Sequence, residues 1–314
     1  MKFYFAPMEG MTGYIYRNAH NRFFGNIDKY YSPFISANQK GSFKTREIND
    51  ILPENNSGLV LIPQLLTNNA QDFINSAAKI KELGYEEINL NLGCPSGTVV
   101  AKHKGSGFLA KREELDAFLE EIFTHSVMEI SVKTRIGKDQ PEEFYELIEI
   151  FNKYSIKELT IHPRIQKDIY KNKPNLPVFK DALKLSKNPV CYNGDITSVK
   201  DYKDFTAQFP EVDAIMIGRG LLNNPGLTSM ILGNKTPDKL KLREFHDQVY
   251  EDYKKIMSGE RNVLFKMKEF WFYLISIFED NGKYAKRIKK SERLRDYEEA
   301  VASIFIDLNI AINE

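Results

Sequence analysis

The hydrophobic positions along the chain fall into two regimes. In the first, short and nearly continuous apolar runs recur: "KFYFAPM", "KYYSPFI", "GLVLIPQLL", "EINLNLG", "EISVKTR", "ELTIHPR", "PVCYNGD" and "AIMIGRG". They are rich in Val, Ile, Leu, Tyr and Phe, the composition of strands covered on both faces. Between most of them lie amphipathic stretches of helical length. "NAQDFINSAAKIKELG" has Asn68 or Asn69 as its N-cap and Gly84 as its C-cap. "KREELDAFLEEIFTH" and "PEEFYELIEIFNKY" follow the same logic, the latter with Pro141 in its first turn. Strand–helix alternation repeated eight times predicts a parallel sheet, and eight such units close into a barrel. The expected fold is therefore α/β, a (β/α)₈ TIM barrel over residues 1–234, with a doubly wound open sheet as the alternative. From residue 235 the pattern is helical throughout, punctuated by Gly233, Pro237, Gly259 and Gly282. Residues 235–314 are expected to form a C-terminal α-helical bundle.

Composition narrows the class. The chain has 314 residues, 42% of them apolar, enough for a substantial core. No stretch of about 18 uncharged apolar residues occurs, so no membrane span is expected. The N-terminus "MKFYFAPMEG" does not read as a signal peptide. Two cysteines suit a reducing compartment, and the expected location is the cytoplasm. There is no CxxC and no HExxH, and the five histidines have no metal spacing. Net charge is +1, yet residues 283–295, "KYAKRIKKSERLR", carry seven Lys or Arg and one acid. Such a basic face can steer a polyanion.

The strand endings carry the candidate chemistry, since the loops at the C-terminal face of a barrel build its site. They deliver Pro7 and Met8; Pro33; Gln64; Asn91 with Cys94; Lys133 with Arg135; His162 with Arg164; Asn193, Gly194 and Asp195; and Gly218, Arg219 and Gly220. "NGD" after the seventh run and "GRG" after the eighth suit a phosphate, with glycine N–H groups and one fork-shaped arginine. Gln64, Lys133 and His162 suit a planar, hydrogen-bonding ring, and Lys133 would place positive charge beside a ring that gains electrons. A flavin matches that demand. "KGSGFLAK", residues 104–111, reads as a loop leading into a helix. Cys191 reads as a small buried hydrophobe and the aromatic residues around Trp271 as bundle core.

In order and spacing, "APMEGMTG", "NLNLGCPSG", "VKTRIG", "TIHPR", "YNGDI" and "MIGRGLLNNP" resemble the tRNA-dihydrouridine synthases over about residues 3 to 227, and "FKMKEFWFYL" continues the likeness weakly. The chain departs from the family pattern at Gly13 and Pro163. The resemblance implies a flavin-binding barrel followed by a helical domain, reducing the C5–C6 bond of uridine in RNA with FMN and NADPH. It implies Cys94 as general acid. It implies Pro7, Met8, Gln64, Lys133, His162, Asn193, Gly194, Asp195, Gly218 and Arg219 as FMN-holding, and Asn91 and Arg135 as lying near the target base. A cysteine with an ordinary pKa of roughly 8.5 stays protonated near neutral pH and can donate. Lys286, Arg287, Lys289 and Lys290 are the candidates for RNA phosphates, with Lys266 and Lys268 extending that surface. The expected partner is tRNA, with ribosomal RNA open, and the expected state a monomer. The competing readings are an FMN barrel oxidoreductase of the dihydroorotate dehydrogenase type and an RNA-binding protein with a vestigial flavin site.

Overall fold

The computed structural model describes residues 1–38 and 41–311. Gln39 and Lys40, near the second apolar run, and the last three residues of the 235–314 segment lie outside the described residues. Ten strands form one sheet: β1 (Lys2–Phe5), β2 (Lys29–Tyr31), β3 (Ile35–Ser36), β4 (Leu61–Ile62), β5 (Gln64–Leu66), β6 (Glu87–Leu92), β7 (Glu129–Arg135), β8 (Leu159–His162), β9 (Val190–Asn193) and β10 (Ala214–Ile217). The helices are α1 (Tyr14–Phe23), α2 (Thr45–Ile51), α3 (Ala70–Glu82), α4 (Gly97–Val100), α5 (Arg112–His125), α6 (Glu143–Phe151), α7 (Leu176–Leu185), α8 (Val199–Gln208), α9 (Arg219–Asn223), α10 (Leu227–Ile231), α11 (Lys239–Ile256), α12 (Glu260–Leu274), α13 (Gly282–Lys290) and α14 (Leu294–Asp307).

The sheet is parallel and curled, in the order β3-β5-β6-β7-β8-β9-β10-β1-β2-β4. Ten strands arise from eight apolar runs because Pro33 and Pro63 interrupt two of them. Proline has no N–H to give the ladder. Pairing continues past both breaks: Ser32 N–H donates to the Ile62 carbonyl at 3.1 Å, and Gln64 N–H donates to Ser32 Oγ at 3.0 Å.

The chain divides into two compact units. One comprises residues 1–9, 28–195 and 209–216, and holds the sheet with α2 to α7. Side chains on its strands alternate. Leu90, Leu92, Val132, Leu159 and Ile161 are fully buried, and with β6 to β8 they supply one apolar face. The α3 cap forms at Asn69, whose side chain accepts from Asp72 N–H at 2.8 Å, and Gly84 follows the helix at φ +92°. Pro141 lies just ahead of α6. The start of that helix is set by the Glu143 carboxylate, which accepts from the N–H groups of Lys138, Asp139 and Gln140 at 3.0, 2.7 and 2.7 Å.

The other unit is helical: residues 10–27, 196–208 and 217–314. Its core is aromatic, with Tyr16 of α1 edge-on to Phe245 of α11 at 5.5 Å and close to Phe270 of α12 at 6.0 Å. Trp271 is interior, as its place in the apolar pattern predicts. A buried chain of hydrogen bonds crosses that core. Trp271 Nε1–H can only donate, so Tyr297 Oη accepts it at 2.9 Å and donates its own proton to His246 Nε2 at 2.5 Å. His246 Nδ1–H then donates to Asp247 at 2.7 Å. Burial lowers the His246 pKa, which keeps the ring neutral and the chain of donors in register. Among the described residues no helix is long and apolar enough to cross a membrane. None of their His, Cys, Asp and Glu side chains form a group that could hold a metal ion.

Candidate active site

From β5 to β8 the face of the sheet that carries Lys133 is polar where the opposite face is apolar, whereas on β9 and β10 the same face is closed by Cys191, Ala214 and Met216. Registered strand partners place Asn89 beside Ser131, Asn91 beside Lys133, Lys133 beside Thr160 and Arg135 beside His162. Hydrogen bonds confirm the shared face: Gln64 Nε2 donates to Asn89 Oδ1 at 2.7 Å, and Asn89 Nδ2 donates to Ser131 Oγ at 3.0 Å. Asn91 Nδ2 donates to Gln64 Oε1 at 2.7 Å. Gln64 opens β5, is fully buried, and its amide orients Asn91. The amide oxygen of Asn91 accepts in turn from the N–H groups of Gly93 and Cys94, at 3.0 and 2.9 Å. This polar column fixes the turn that carries the thiol.

Two further residues grip the same turn. Arg135 is 1% exposed, and its guanidinium donates to the carbonyls of Gly93, Ile165 and Ile169 at 3.0, 2.9 and 2.8 Å. Ser106 donates to the Cys94 carbonyl through both its N–H, at 3.1 Å, and its hydroxyl, at 2.8 Å. Ser106 belongs to "KGSGFLAK", whose 3₁₀ turn Gly105–Ala110 folds back on Cys94. Gly105, at φ +55°, lies so close that a Cβ there would sit 2.8 Å from the Cys94 carbonyl oxygen. Neither Ser106 nor Gly105 stands out in the sequence as part of the site.

Cys94 itself is partly exposed. Burial pushes its thiol pKa up. The Ser96 N–H opposes this and Glu9 adds to it, while Arg135 and Lys133 pull the other way. The net effect is a thiol held protonated at neutral pH. Lys133 is lowered to about 8 by burial first and by the nearby Arg135 charge second. Among the described residues it has no ion pair or hydrogen bond to an acid. The sheet therefore presents a cation without a counter-ion and a thiol that keeps its proton.

At the end of β8, His162 Nε2 accepts from Arg164 Nη1 at 3.0 Å. A guanidinium only donates, so the proton of a neutral His162 sits on Nδ1. Arg164 is held by Asp195 through two bonds, at 3.0 and 2.5 Å, and by the Asn172 carbonyl at 2.6 Å. Asp195 thus engages Arg164 and so orients His162. Asn193 Nδ2 donates to the Met216 carbonyl at 2.8 Å, and a Cβ on Gly194 would meet the Tyr192 hydroxyl at 1.9 Å. Pro7 and Met8 are half-buried in the loop after β1. Gly218 and Arg219 open α9 directly after β10. The neighbouring Gly220 has no room for a side chain: a Cβ would lie 2.2 Å from the Ile196 carbonyl. Gly220 therefore packs directly against the backbone of Ile196. Lys286, Arg287, Lys289 and Lys290 are exposed on α13, where Arg287 also donates to Ser303 at 2.9 Å. Lys266 pairs with Glu269 at 3.2 Å, and Lys268 donates to the Ser291 carbonyl at 2.5 Å.

Comparison with known proteins agrees with this geometry. Several solved structures share the fold. A 2-naphthoyl-CoA reductase complex aligns with TM-score 0.57 at 10% identity, covering 74% of this chain and 50% of that one. Morphinone reductase aligns with TM-score 0.52 at 10% identity, covering 76% and 87%. In sequence, the tRNA-dihydrouridine(16) synthase of Vibrio parahaemolyticus is 24% identical over 310 residues, 92% of each chain. The tRNA-dihydrouridine synthase B of Pasteurella multocida is 26% identical over 72% of this chain and 67% of its own length. The family profile described as Dihydrouridine synthase (Dus) matches residues 4–307, and the chain belongs to that family.

Proposed function

We propose that the chain reduces the C5–C6 double bond of uridines in tRNA to dihydrouridine, with FMN as cofactor, NADPH as reductant and Cys94 as general acid. The observation that carries this reading is the Cys94 thiol, partly exposed, kept protonated by burial, and set in the field of a lysine that has no counter-ion.

The residues present suit FMN. An uncompensated Lys133 amine fits an electron-accepting ring and would be costly to leave beside nothing. Lys133, Gln64 and His162 would hold the ring, Pro7 and Met8 would line it, and Asn193, Gly194, Asp195, Gly218 and Arg219 would serve the phosphate. FMN, when bound there, would supply hydride chemistry toward C6 of the base, with NADPH as the source of the electrons. The chain's own part is the proton. Cys94 delivers it from sulfur to C5, the end of the double bond opposite the hydride, so that the base gains the equivalent of one H₂. Asn91 and Arg135 act on the base through the turn they hold. His162, fixed by Arg164 and Asp195, offers its Nδ1–H as a neutral donor.

The same reading completes the architecture. The breaks at Pro33 and Pro63 make β2 with β3, and β4 with β5, pieces of single runs, which supports a closed (β/α)₈ barrel over residues 1–234. Residues 235–314 form the RNA-binding helical part, with Lys286, Arg287, Lys289 and Lys290 on tRNA phosphates. The target base is turned out of its stack to reach the thiol. The chain works as a monomer in the cytoplasm.

The test is Cys94→Ala. The variant retains FMN and consumes NADPH at the wild-type rate, while dihydrouridine formation on tRNA falls by about 10²–10⁴-fold, the usual loss of a general acid. Mass spectrometry of the digested tRNA measures this, and undiminished product overturns the assignment.

A further inference from the structure

Helix α12 buries Val263, Leu264, Met267, Phe270, Trp271 and Leu274. Its outward face is unusual. At spacings of four, three and four residues it presents Arg261, Phe265, Lys268 and Phe272, which fall on one stripe of a 3.6-residue helix. Phe265 is 52% exposed and Phe272 is 75% exposed. One acid, Glu269, shares this face between the two rings, and its charge is paired with Lys266 at 3.2 Å, so the stripe keeps a net positive charge from Arg261 and Lys268. The Arg261 guanidinium carbon lies 5.4 Å from the Phe265 ring centre, and Lys268 Nζ lies 5.9 Å from it. Phe272 is braced edge-on by Tyr273 at 5.0 Å.

Two exposed phenyl rings carry a standing hydrophobic cost, and the core of this unit is already filled without them. What would cover them is indicated by their neighbours. An apolar protein surface would have to desolvate the two cations that alternate with the rings. A single-stranded nucleic acid would not: it offers flat bases for the rings and phosphates for the cations. The stripe is also continuous with the basic face of α13. Lys268 donates to the carbonyl of Ser291, the residue that follows the exposed Lys289 and Lys290. Phe265 and Phe272 are seven residues apart, or about 10 Å along the axis, which suits bases that are unstacked from each other rather than a paired helix.

We propose that this α12 stripe is a stacking surface for unpaired bases of the RNA substrate, with Phe265 and Phe272 as platforms and Arg261 and Lys268 on the intervening phosphates. The proposal rests on the RNA reading above and assigns the stripe a part distinct from the phosphate contacts of α13. Alternation of ring and cation lets α12 grip a single-stranded segment whatever its sequence, because every base has a stacking face. Both rings point away from the core of their unit, so removing them leaves its packing intact.

The experiment uses the full-length flavoprotein and three probes: a tRNA transcript, a blunt RNA duplex, and a single-stranded oligonucleotide carrying 2-aminopurine. Phe265→Ala/Phe272→Ala is expected to bind tRNA about 10- to 100-fold more weakly. It also loses the 2-aminopurine quenching of the wild type, binds the duplex unchanged, and keeps the wild-type rate of flavin reduction by NADPH. Phe265→Leu/Phe272→Leu, which keeps the apolar surface and removes the rings, is expected to behave like the alanine pair. Tryptophan at both positions restores quenching. Unchanged tRNA affinity in the alanine pair overturns the proposal. So does full rescue by leucine, or a wild-type dimer in sedimentation that the alanine pair dissociates, since either marks a protein contact. If the wild-type chain binds no tRNA, the RNA reading falls and the stripe with it. Binding that survives the substitutions removes the stripe alone.

Discussion

A methyl group on Gly105 would sit 2.8 Å from the Cys94 carbonyl oxygen and 3.0 Å from its Cβ. Neither neighbour is the far end of a flexible side chain, so the turn itself has to move. The left-handed backbone at φ +55° adds a strain of about 1–2 kcal/mol for any L-residue. Gly105→Ala is therefore expected to displace the thiol while leaving the cofactor residues on β7 and β8 in place. A misplacement of about 1 Å at a reacting group can cost about 10²-fold in rate. Dihydrouridine formation should fall by that order, with flavin content unchanged. Alkylation by iodoacetamide reads the displacement directly, because Cys191 is fully buried and only Cys94 reacts. An unaltered alkylation rate with unaltered turnover would remove Gly105 from the site. Cys94 itself is conspicuous in the sequence, since a cysteine between glycine and proline beyond a strand is a poor core residue. Gly105 and Ser106 are not. Their contribution is made across eleven or twelve positions of loop, which no local spacing encodes.

At the scale of elements, the eight apolar runs were legible because strands covered on both faces must be apolar, and the two extra strands follow from Pro33 and Pro63 within those runs. A second signal lay under the first. In "EINLNL" and "EISVKTR" the polar residues Asn89, Asn91, Ser131, Lys133 and Arg135 recur at every second position, the period of one strand face. That period marks the inward column, which Gln64 joins through its hydrogen bonds with Asn89 and Asn91. What the pattern does not reveal is the opposite end of the strands. There Glu158, just ahead of β8, is half-buried beside Tyr4, which donates to it at 2.8 Å, and Tyr31, which donates at 3.5 Å, while the nearby Glu87 pairs with Lys29 at 2.7 Å. Desolvation raises the Glu158 pKa, with the Tyr4 hydrogen bond and Lys29 opposing and Glu87 adding. The folded chain thus holds this proton more tightly than the unfolded chain does. Stability is fully present below the ordinary carboxyl range and declines as pH rises through the raised folded value. Glu158→Gln keeps an acceptor for Tyr4 and removes the ionisation. Thermal melts should show the variant more stable than the wild type at pH 8, with the difference vanishing near pH 4. A stability gap independent of pH would mean that the carboxyl does not carry this burden.

For the whole molecule, a net charge of +1 hides a strongly uneven surface, with the basic run 283–295 gathered on and just after α13. When such a face meets RNA phosphates it releases counter-ions, so its effect appears in the slope of affinity against salt rather than in sequence preference. The four candidate cations are not equal. Arg287 already donates to Ser303 and lies 3.7 Å from Glu299, whereas Lys286, Lys289 and Lys290 are exposed and have no ion pair among the described residues. The three lysines should therefore carry most of the effect. Lys286→Gln/Lys289→Gln/Lys290→Gln is expected to reduce the magnitude of the log–log salt slope for tRNA by about 2 to 3, at about 0.7–0.9 for each phosphate no longer neutralised. Arg287→Gln alone should move it less than any one lysine does. Flavin reduction by NADPH stays at the wild-type rate in all of these variants, since no residue on the sheet is touched. The α12 rings act on the other quantity: their removal lowers affinity at every salt concentration and leaves the slope as it was, because stacking releases no counter-ions. Titrations at four or five ionic strengths separate the two faces. A triple-lysine variant with an unchanged slope would move the phosphate contacts elsewhere on the chain, whatever its absolute affinity.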